Sequence, residues 1–283
     1  MNVADAMTPR SEVVTVELPG TRDDVLTYLQ EREFSSVPVI KETDDGEQFR
    51  GLVTRERLIA NPDEDQLALL MEEVPTVTRD ASIAEVAKLM VEKGARRVPV
   101  VDGLLEGIIT VTDVVHAIAS GNAPGEAEVG DVATRTVTTT WRETPLPVVE
   151  RTLSHAGTPY AVVLDDDGQM DGIVTEVDVI DVARVVVGEA ETGDSIASDD
   201  QHWVWESIRA VGSITMPTRD VEIPTDPVSE FMTADVVTVT AKRTAKEAAQ
   251  SMIEKDVEQI PLMSGGQLVG IVVDMDLLEA VYE

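Results

Sequence analysis

One unit is written four times along this chain. Each copy carries a short apolar strand, a glycine-led apolar strand, and a polar turn that opens a helix. The copies read SVPVI…GLVTRERLI from Ser36, RVPVV…GIITVTDVV from Arg97, YAVVL…GIVTEVDVI from Tyr160 and QIPLM…GIVVDMDLL from Gln259. An internal repeat of this kind decides the architecture before any single residue is weighed. It also points to a ligand site, because the turn that varies between copies is where a helix N-terminus meets solvent.

The second copy shows the local logic. Ser82 and Glu85 have the spacing of a capping box, and Ile83, Val86, Ala87 and Met90 follow at helical spacing. Gly94 stops that helix, since glycine adopts the left-handed conformation without penalty. Residues 98–101 read as a strand, Asp102 and Gly103 as its turn, residues 107–110 as a second strand and 113–119 as a second helix. Thr21 with Asp24, and Thr244 with Glu247, repeat the capping signal; in the third copy Thr144 precedes Pro145, a favoured first helical residue. A β-branched strand stands upstream of each helix, so every copy is strand, helix, strand, strand, helix. A unit of about 55 residues cannot cover both faces of its sheet, so copies are expected to pair. The fold class is therefore α/β (α+β).

The glycine-led strands begin at Gly51, Gly107, Gly172 and Gly270, at intervals of 56, 65 and 98 residues. The copies fall at residues 1–65, 66–122, 128–188 and 227–283, with an insert over 189–226. That insert holds Trp203 and Trp205, two of the three tryptophans, with Trp203, Ser207 and Ala210 on one face of a short helix. It reads either as packing onto the second half of the chain or as a docking surface for a protein partner, since aromatics concentrate at interfaces.

Composition narrows the function classes. The net charge is −32, from 54 acidic and 22 basic residues, and the acids are spread along the chain rather than gathered in a tail. Self-repulsion of that size destabilises a compact state in ordinary salt and is largely screened in molar salt. The composition fits a halophile's salt-rich cytoplasm, or else an acidic mesophilic protein. A phosphate backbone needs a basic face, so nucleic-acid binding is disfavoured. No apolar run reaches the length of a membrane helix and the first residues carry no secretory signal, so a cytoplasmic, non-membrane protein is expected. There are no cysteines, hence no disulfides or thiol chemistry. No nucleophile motif, phosphate loop or metal-ligand spacing appears, and His116, His155 and His202 lie far apart. An enzyme is the least favoured class.

Laid out this way, the chain resembles the cystathionine-β-synthase (CBS) domain family. The resemblance rests on the entry motif (MTADVVTV at Met232, a longer MTPRSEVVTV at Met7), the apolar-Pro-apolar strand and the G-apolar-apolar-T-x-x-D exit, registered four times. It implies intertwined modules pairing copy one with two and copy three with four, in a four-repeat disc like that of adenylate-sensing kinase γ subunits. Two such discs can associate head to head or head to tail into a homodimer.

Thr110, Thr112 and Asp113 stand where strand meets helix in the second copy. Free N–H groups at a helix start suit phosphate, and a carboxylate can hold both hydroxyls of a ribose. The resemblance makes Asp113 the ribose ligand and makes Arg96 and Arg97 phosphate ligands. It sets the adenine beside Val98, with Thr8 and Val14 from the partner copy's entry strand. A purely structural account also exists: Thr110 and Asp113 cap the helix, and the arginines pair with surface carboxylates. The third copy keeps Thr175 and Asp178, with Thr233 and Val237 as its entry residues, but has Thr158 and Pro159 in place of the arginines. The fourth keeps Asp276 yet has Val273 for the threonine, and Asp274 and Glu258 would repel phosphate. The first has Arg57 for the acid, which with Arg55 suits only a phosphate. One good site, one weaker site and two poor ones are expected.

The leading expectation is a non-catalytic regulatory protein that binds AMP, ADP or ATP, needs no cofactor or metal, and signals to a protein partner. The rivals are a sensor of S-adenosylmethionine or methylthioadenosine, and a ligand-free interaction scaffold.

Overall fold

The computed structural model describes residues 1–31, 36–54, 57–58, 61, 64–189 and 217–282. The chain divides into two compact units: residues 1–134, 237–262 and 271–283 in one, residues 135–236 and 263–270 in the other. Arg55, His202 and the Trp203–Trp205 segment lie outside the described residues.

In the first unit, the first copy builds a three-stranded sheet. Val16–Glu17 runs parallel to Ser36–Thr43, which forms an antiparallel hairpin with Gly46–Thr54. Val16, Val25, Val37, Val39, Val53, Leu58, Leu67 and Leu70 bury together beneath it. The second copy pairs Arg97–Asp102 with Leu104–Thr110, in a register that sets Arg97 opposite Thr110. Its helices are Ile83–Lys93 and Val111–Ser120. Both open with the expected reciprocal caps: Ser82 with Glu85, and Thr110 with Asp113. Gly94 closes the earlier helix at φ 63°.

The fourth copy contributes the Gln259–Ser264 and Gln267–Val273 hairpin and the Ala245–Lys255 helix, capped by Thr244 with Glu247. Helix Val111–Ser120 packs along Ala245–Lys255, and Glu279–Tyr282 packs on Ile83–Lys93. Val86, Ala87, Met90, Val115 and Ile118 join Ala245, Ala248, Ala249, Met252 and Leu278 in one core. The alanines let the helices approach closely. Fully burying a Leu, Ile or Met side chain contributes about 1.5–3 kcal/mol, so this face is a principal source of the unit's stability.

The entry segments are exchanged. Thr8–Pro9, near the head of the first copy, pairs antiparallel with Ile108 and Gly107 of the second. Glu72, near the head of the second copy, pairs with Leu52 of the first, and Thr134, near the head of the third, pairs with Ile271 of the fourth. In the second unit Thr233, near the head of the fourth copy, pairs with Ile173 of the third. The leading glycines explain how this is possible. A Cβ on Gly51 would lie 2.6 Å from the Glu72 carbonyl, and one on Gly172 would lie 2.6 Å from Met232 Sδ and 2.8 Å from the Thr233 carbonyl. At Gly107 it would run into the Thr8 carbonyl. The two extra residues in the first entry motif are absorbed by a 3-10 turn, Arg10–Glu12, whose Arg10 forks onto Glu47 with two bonds of 2.7 Å.

The second unit holds the third copy. Thr139–Trp141 runs parallel to Tyr160–Leu164, which pairs antiparallel with Met170–Thr175. Helix Leu146–Ala156 begins one residue later than the Pro145 expectation, with Pro145 itself at the N-cap. The flanks of the insert were not legible as structure. They form an antiparallel hairpin, Arg184–Glu189 with Pro217–Glu222.

Gly107→Ala should lower the unfolding free energy by about 1–3 kcal/mol, the usual cost of overpacking. Chemical denaturation measures it. An unchanged midpoint would mean that the entry segment does not sit on Gly107.

Candidate functional site

In the second copy the strand ends at Thr110 and the helix starts at Val111, so the polar turn is fixed from both sides. The Thr110 N–H and hydroxyl each donate to Asp113 Oδ2 at 2.8 Å, and the Asp113 N–H donates back to Thr110 Oγ1 at 3.3 Å. The Asp113 side chain thus caps the helix, and the box uses Oδ2 alone. Burial pushes the Asp113 carboxyl above its ordinary range, against the pull of the Thr110 bonds and of His116. Thr112 is exposed on the first turn, and Arg97 is half-buried on the strand opposite Thr110. Thr8 flanks the strand that ends at Thr110 on its other side, opposite Ile108. Val14 is partly buried. Val98 is fully buried in the core, so its side chain lines no open crevice.

Arg96 is engaged elsewhere. Its guanidinium forks onto Asp274 of the fourth copy, Nη1 to Oδ1 at 3.0 Å and Nη2 to Oδ2 at 2.6 Å, and Nη2 also donates to Glu258 at 3.1 Å. Asp274 is only 5% exposed, the one charged residue among the buried polar groups described. Burial opposes the charge on Arg96, but the Asp274 hydrogen bonds and the attraction of Asp274 and Glu258 outweigh it and raise its pKa. The two acids expected to repel phosphate at the fourth copy thus hold an arginine of the second. The sequence carried a signal for this: Glu258 stands at the register of Arg96, and Asp274 at that of Val111.

The third copy repeats the box. The Thr175 N–H and hydroxyl donate to Asp178 Oδ2 at 2.7 and 2.8 Å, and the Asp178 N–H returns to Thr175 Oγ1 at 3.3 Å. Thr158 donates to the Tyr160 carbonyl at 3.2 Å, and no cation stands at that register. Thr233 lies beside Ile173, whereas Val237 packs against the core of the first unit.

In the fourth copy Asp276 accepts only backbone bonds, including the Val273 N–H at 3.0 Å. Burial is the main reason its pKa rises to about 6, and Glu279 and Asp274 add to the rise. In the first copy the Arg57 N–H donates to Thr54 Oγ1 at 3.2 Å, so the turn is capped without a carboxylate.

A cleft of about 210 Å³ on the fourth copy, lined by Thr238, Arg243, Glu247 and Gln250 among others, includes none of the sequence-predicted site residues. Among the described residues no cluster of side chains could hold a metal ion. Nor is any described helix long and apolar enough to cross a membrane.

Comparison with known proteins agrees with the repeat. A family model described as "CBS domain" matches residues 3–63, 67–120, 129–184 and 228–283. An uncharacterised protein of Methanocaldococcus jannaschii, MJ1404, is 24% identical over 279 residues, covering 98% of this chain and 61% of that protein. MK0525 of Methanopyrus kandleri is 34% identical over 117 residues, covering 38% of this chain and 58% of that one. The chain thus spans about three fifths or less of these relatives' lengths. Among solved structures, an uncharacterised conserved protein from Pyrococcus horikoshii superposes with a TM-score of 0.70 at 27% identity, over 99% of this chain and all of that one. MJ1225 of M. jannaschii, described as a candidate archaeal homologue of the AMPK γ subunit, gives 0.67 at 21% identity over 99% of both chains and shares the fold.

The raised pKa of Asp276 carries a sign. A carboxyl held at about 6 when folded and near 3.8 when unfolded binds its proton more tightly in the folded state. Its contribution is fully present below about pH 4 and is lost as pH rises through 6. Thermal melts between pH 4 and 7 should therefore show a smaller fall for Asp276→Asn than for the unaltered protein. Parallel profiles would contradict this placement of Asp276.

Proposed function

The chain belongs to the CBS-domain family, and on that footing we propose that it is a non-catalytic regulatory protein that binds an adenine nucleotide, AMP, ADP or ATP. Copies one and two, and copies three and four, act as its two modules. The nucleotide site is that of the second copy. Asp113 holds the ribose through its free oxygen, and Thr110 and Thr112 supply hydroxyls. Arg97 on the neighbouring strand meets the phosphate. Thr8 closes the cleft from the exchanged entry segment.

The observation that carries this reading is the constellation itself. The Thr110–Asp113 box, the arginine paired opposite Thr110 and the neighbouring copy's entry strand meet at one strand end. A ligand touching both copies biases their relative arrangement, and a protein partner that prefers one arrangement then feels the ligand by reciprocal linkage.

A second reading has its own support. The third copy has the same box but Thr158 and Pro159 where the second has arginines. That suits an adenosyl ligand without phosphate, such as S-adenosylmethionine or methylthioadenosine.

Calorimetric titration of AMP, ADP, ATP and S-adenosylmethionine in molar KCl tests both. Saturable nucleotide binding is expected, weakened at least about tenfold by Asp113→Ala, which corresponds to about 1.4 kcal/mol. Arg97→Ala should weaken the phosphorylated ligands and spare S-adenosylmethionine. Binding of S-adenosylmethionine alone, lost in Asp178→Ala, would favour the second reading. No binding by folded protein would leave an interaction scaffold.

A further inference from the structure

The mouth of the second copy is closed by its own backbone and tied by another copy's side chains. Arg96 is the last residue before strand Arg97–Asp102, and its carbonyl accepts the N–H of Val111, the first residue of the site helix, at 3.0 Å. The fourth copy repeats that bond. The Glu258 carbonyl accepts the N–H of Asp274, the first residue of helix Asp274–Leu277, at 2.8 Å. The Arg96 guanidinium spans the two mouths, with a two-bond fork on Asp274 and a third bond to Glu258. Val111, Arg96, Asp274 and Glu258 thus form a connected chain of bonds in which each mouth is held against the other.

The two acids hold Arg96 unequally. Glu258 is 67% exposed at its side chain, so water can replace its bond. Asp274 is almost completely buried, and its other bond is from the Met275 N–H at 2.7 Å. A buried carboxylate left without its counter-charge is costly, so the fork is the fixed end of Arg96. A side chain anchored at its tip restricts the backbone that carries it, here the segment between the Gly94 helix stop and the strand. The third copy fixes the same register by other means. Its residue there is Pro159, whose carbonyl accepts the Glu176 N–H at 2.9 Å and whose ring sets φ.

We infer that Asp274 is a positioning residue for the nucleotide site of the second copy: by holding Arg96 it sets the carbonyl from which the helix carrying Asp113 starts. The inference rests on the proposed nucleotide site. Arg96 stays on Asp274 throughout and does not itself meet the ligand. A mouth that is fixed before the ligand arrives has less order to impose on binding, and affinity is gained by that preorganisation.

The test is calorimetric titration of AMP into the full chain, read on the binding that Asp113→Ala removes. The decisive variant combines Arg96→Met with Asp274→Val. It removes the bridge at constant net charge and leaves neither partner as an unpaired buried ion, so a melting temperature near that of the unaltered protein is expected. AMP should bind it about fivefold more weakly. Asp274→Val alone should also weaken AMP, although it removes a negative charge, and Glu258→Gln should stay within about twofold. Arg96→Lys serves as the conservative second variant: it keeps a charge beside Asp274 without the fork, and should weaken AMP in the same direction. Unchanged AMP affinity in the folded combined variant and in Arg96→Lys would make the bridge structural only and overturn the inference, while the nucleotide reading stands. Tighter AMP binding in Asp274→Val would overturn it too, since Asp274 would then act through its charge. If the folded, unaltered protein shows no AMP binding that depends on Asp113, the nucleotide reading fails and this inference fails with it.

Discussion

The close approach of an entry segment to a leading glycine is the constraint on which the rest of the fold depends. A Cβ at Gly51, Gly107 or Gly172 would collide with the carbonyl of Glu72, Thr8 or Thr233. Without that approach the strand edge would present unpaired backbone groups, and an unpaired edge is a liability. With it, each copy's sheet is completed by a segment belonging to another copy. The same contact brings Thr8 and Thr233 beside strands that end where a helix begins, two residues short of Thr110 and Thr175.

On this repeated frame the four copies differ mainly in charge. In the second, third and fourth copies the first residue of the exit helix donates its N–H to the carbonyl at the strand mouth: Val111 to Arg96, Glu176 to Pro159 and Asp274 to Glu258, at 3.0, 2.9 and 2.8 Å. Backbone geometry is held constant while the strand-mouth side chain runs from basic Arg96 through neutral Pro159 to acidic Glu258, and the helix-start residue from apolar Val111 to acidic Glu176 and Asp274. Where Asp113 and Asp178 accept both an N–H and a hydroxyl, Asp276 meets Val273 and accepts only backbone N–H groups. Burial above all, with Glu279 and Asp274 adding to it, holds the Asp276 carboxyl up at about 6.

The local parts of this fold were legible in the sequence because they are made by residues three or four apart. The boxes of Ser82 with Glu85, Thr110 with Asp113 and Thr244 with Glu247, and the stop at Gly94, follow from capping chemistry alone. Contacts between distant copies were not legible in the same way. Arg96 and Asp274 are 178 residues apart, and charge at a single position does not reveal its partner. The burial of Val98 was similarly hidden, because an apolar strand residue reads the same whether it lines a cleft or fills a core. The Arg184–Glu189 hairpin with Pro217–Glu222 is not legible locally, because its VVV run reads as the end of a copy and its partner strand lies far along the chain.

The packing of the second copy on the fourth gives the acidic copy a role that its own cleft does not suggest. Ala248 and Ala249 bring the Ala245–Lys255 helix against Val111–Ser120, and the Gln250 amide donates to the Ala119 carbonyl at 3.0 Å. The helix carrying Asp113 is thereby held along its length by the fourth copy, while Arg96 is held at its start by Asp274. In a chain with 22 basic residues against 54 acidic ones, a committed guanidinium is a substantial share of the positive charge near any anion site. The fourth copy therefore acts on the second twice, through apolar packing that fixes the helix and through a buried carboxylate that fixes a cation.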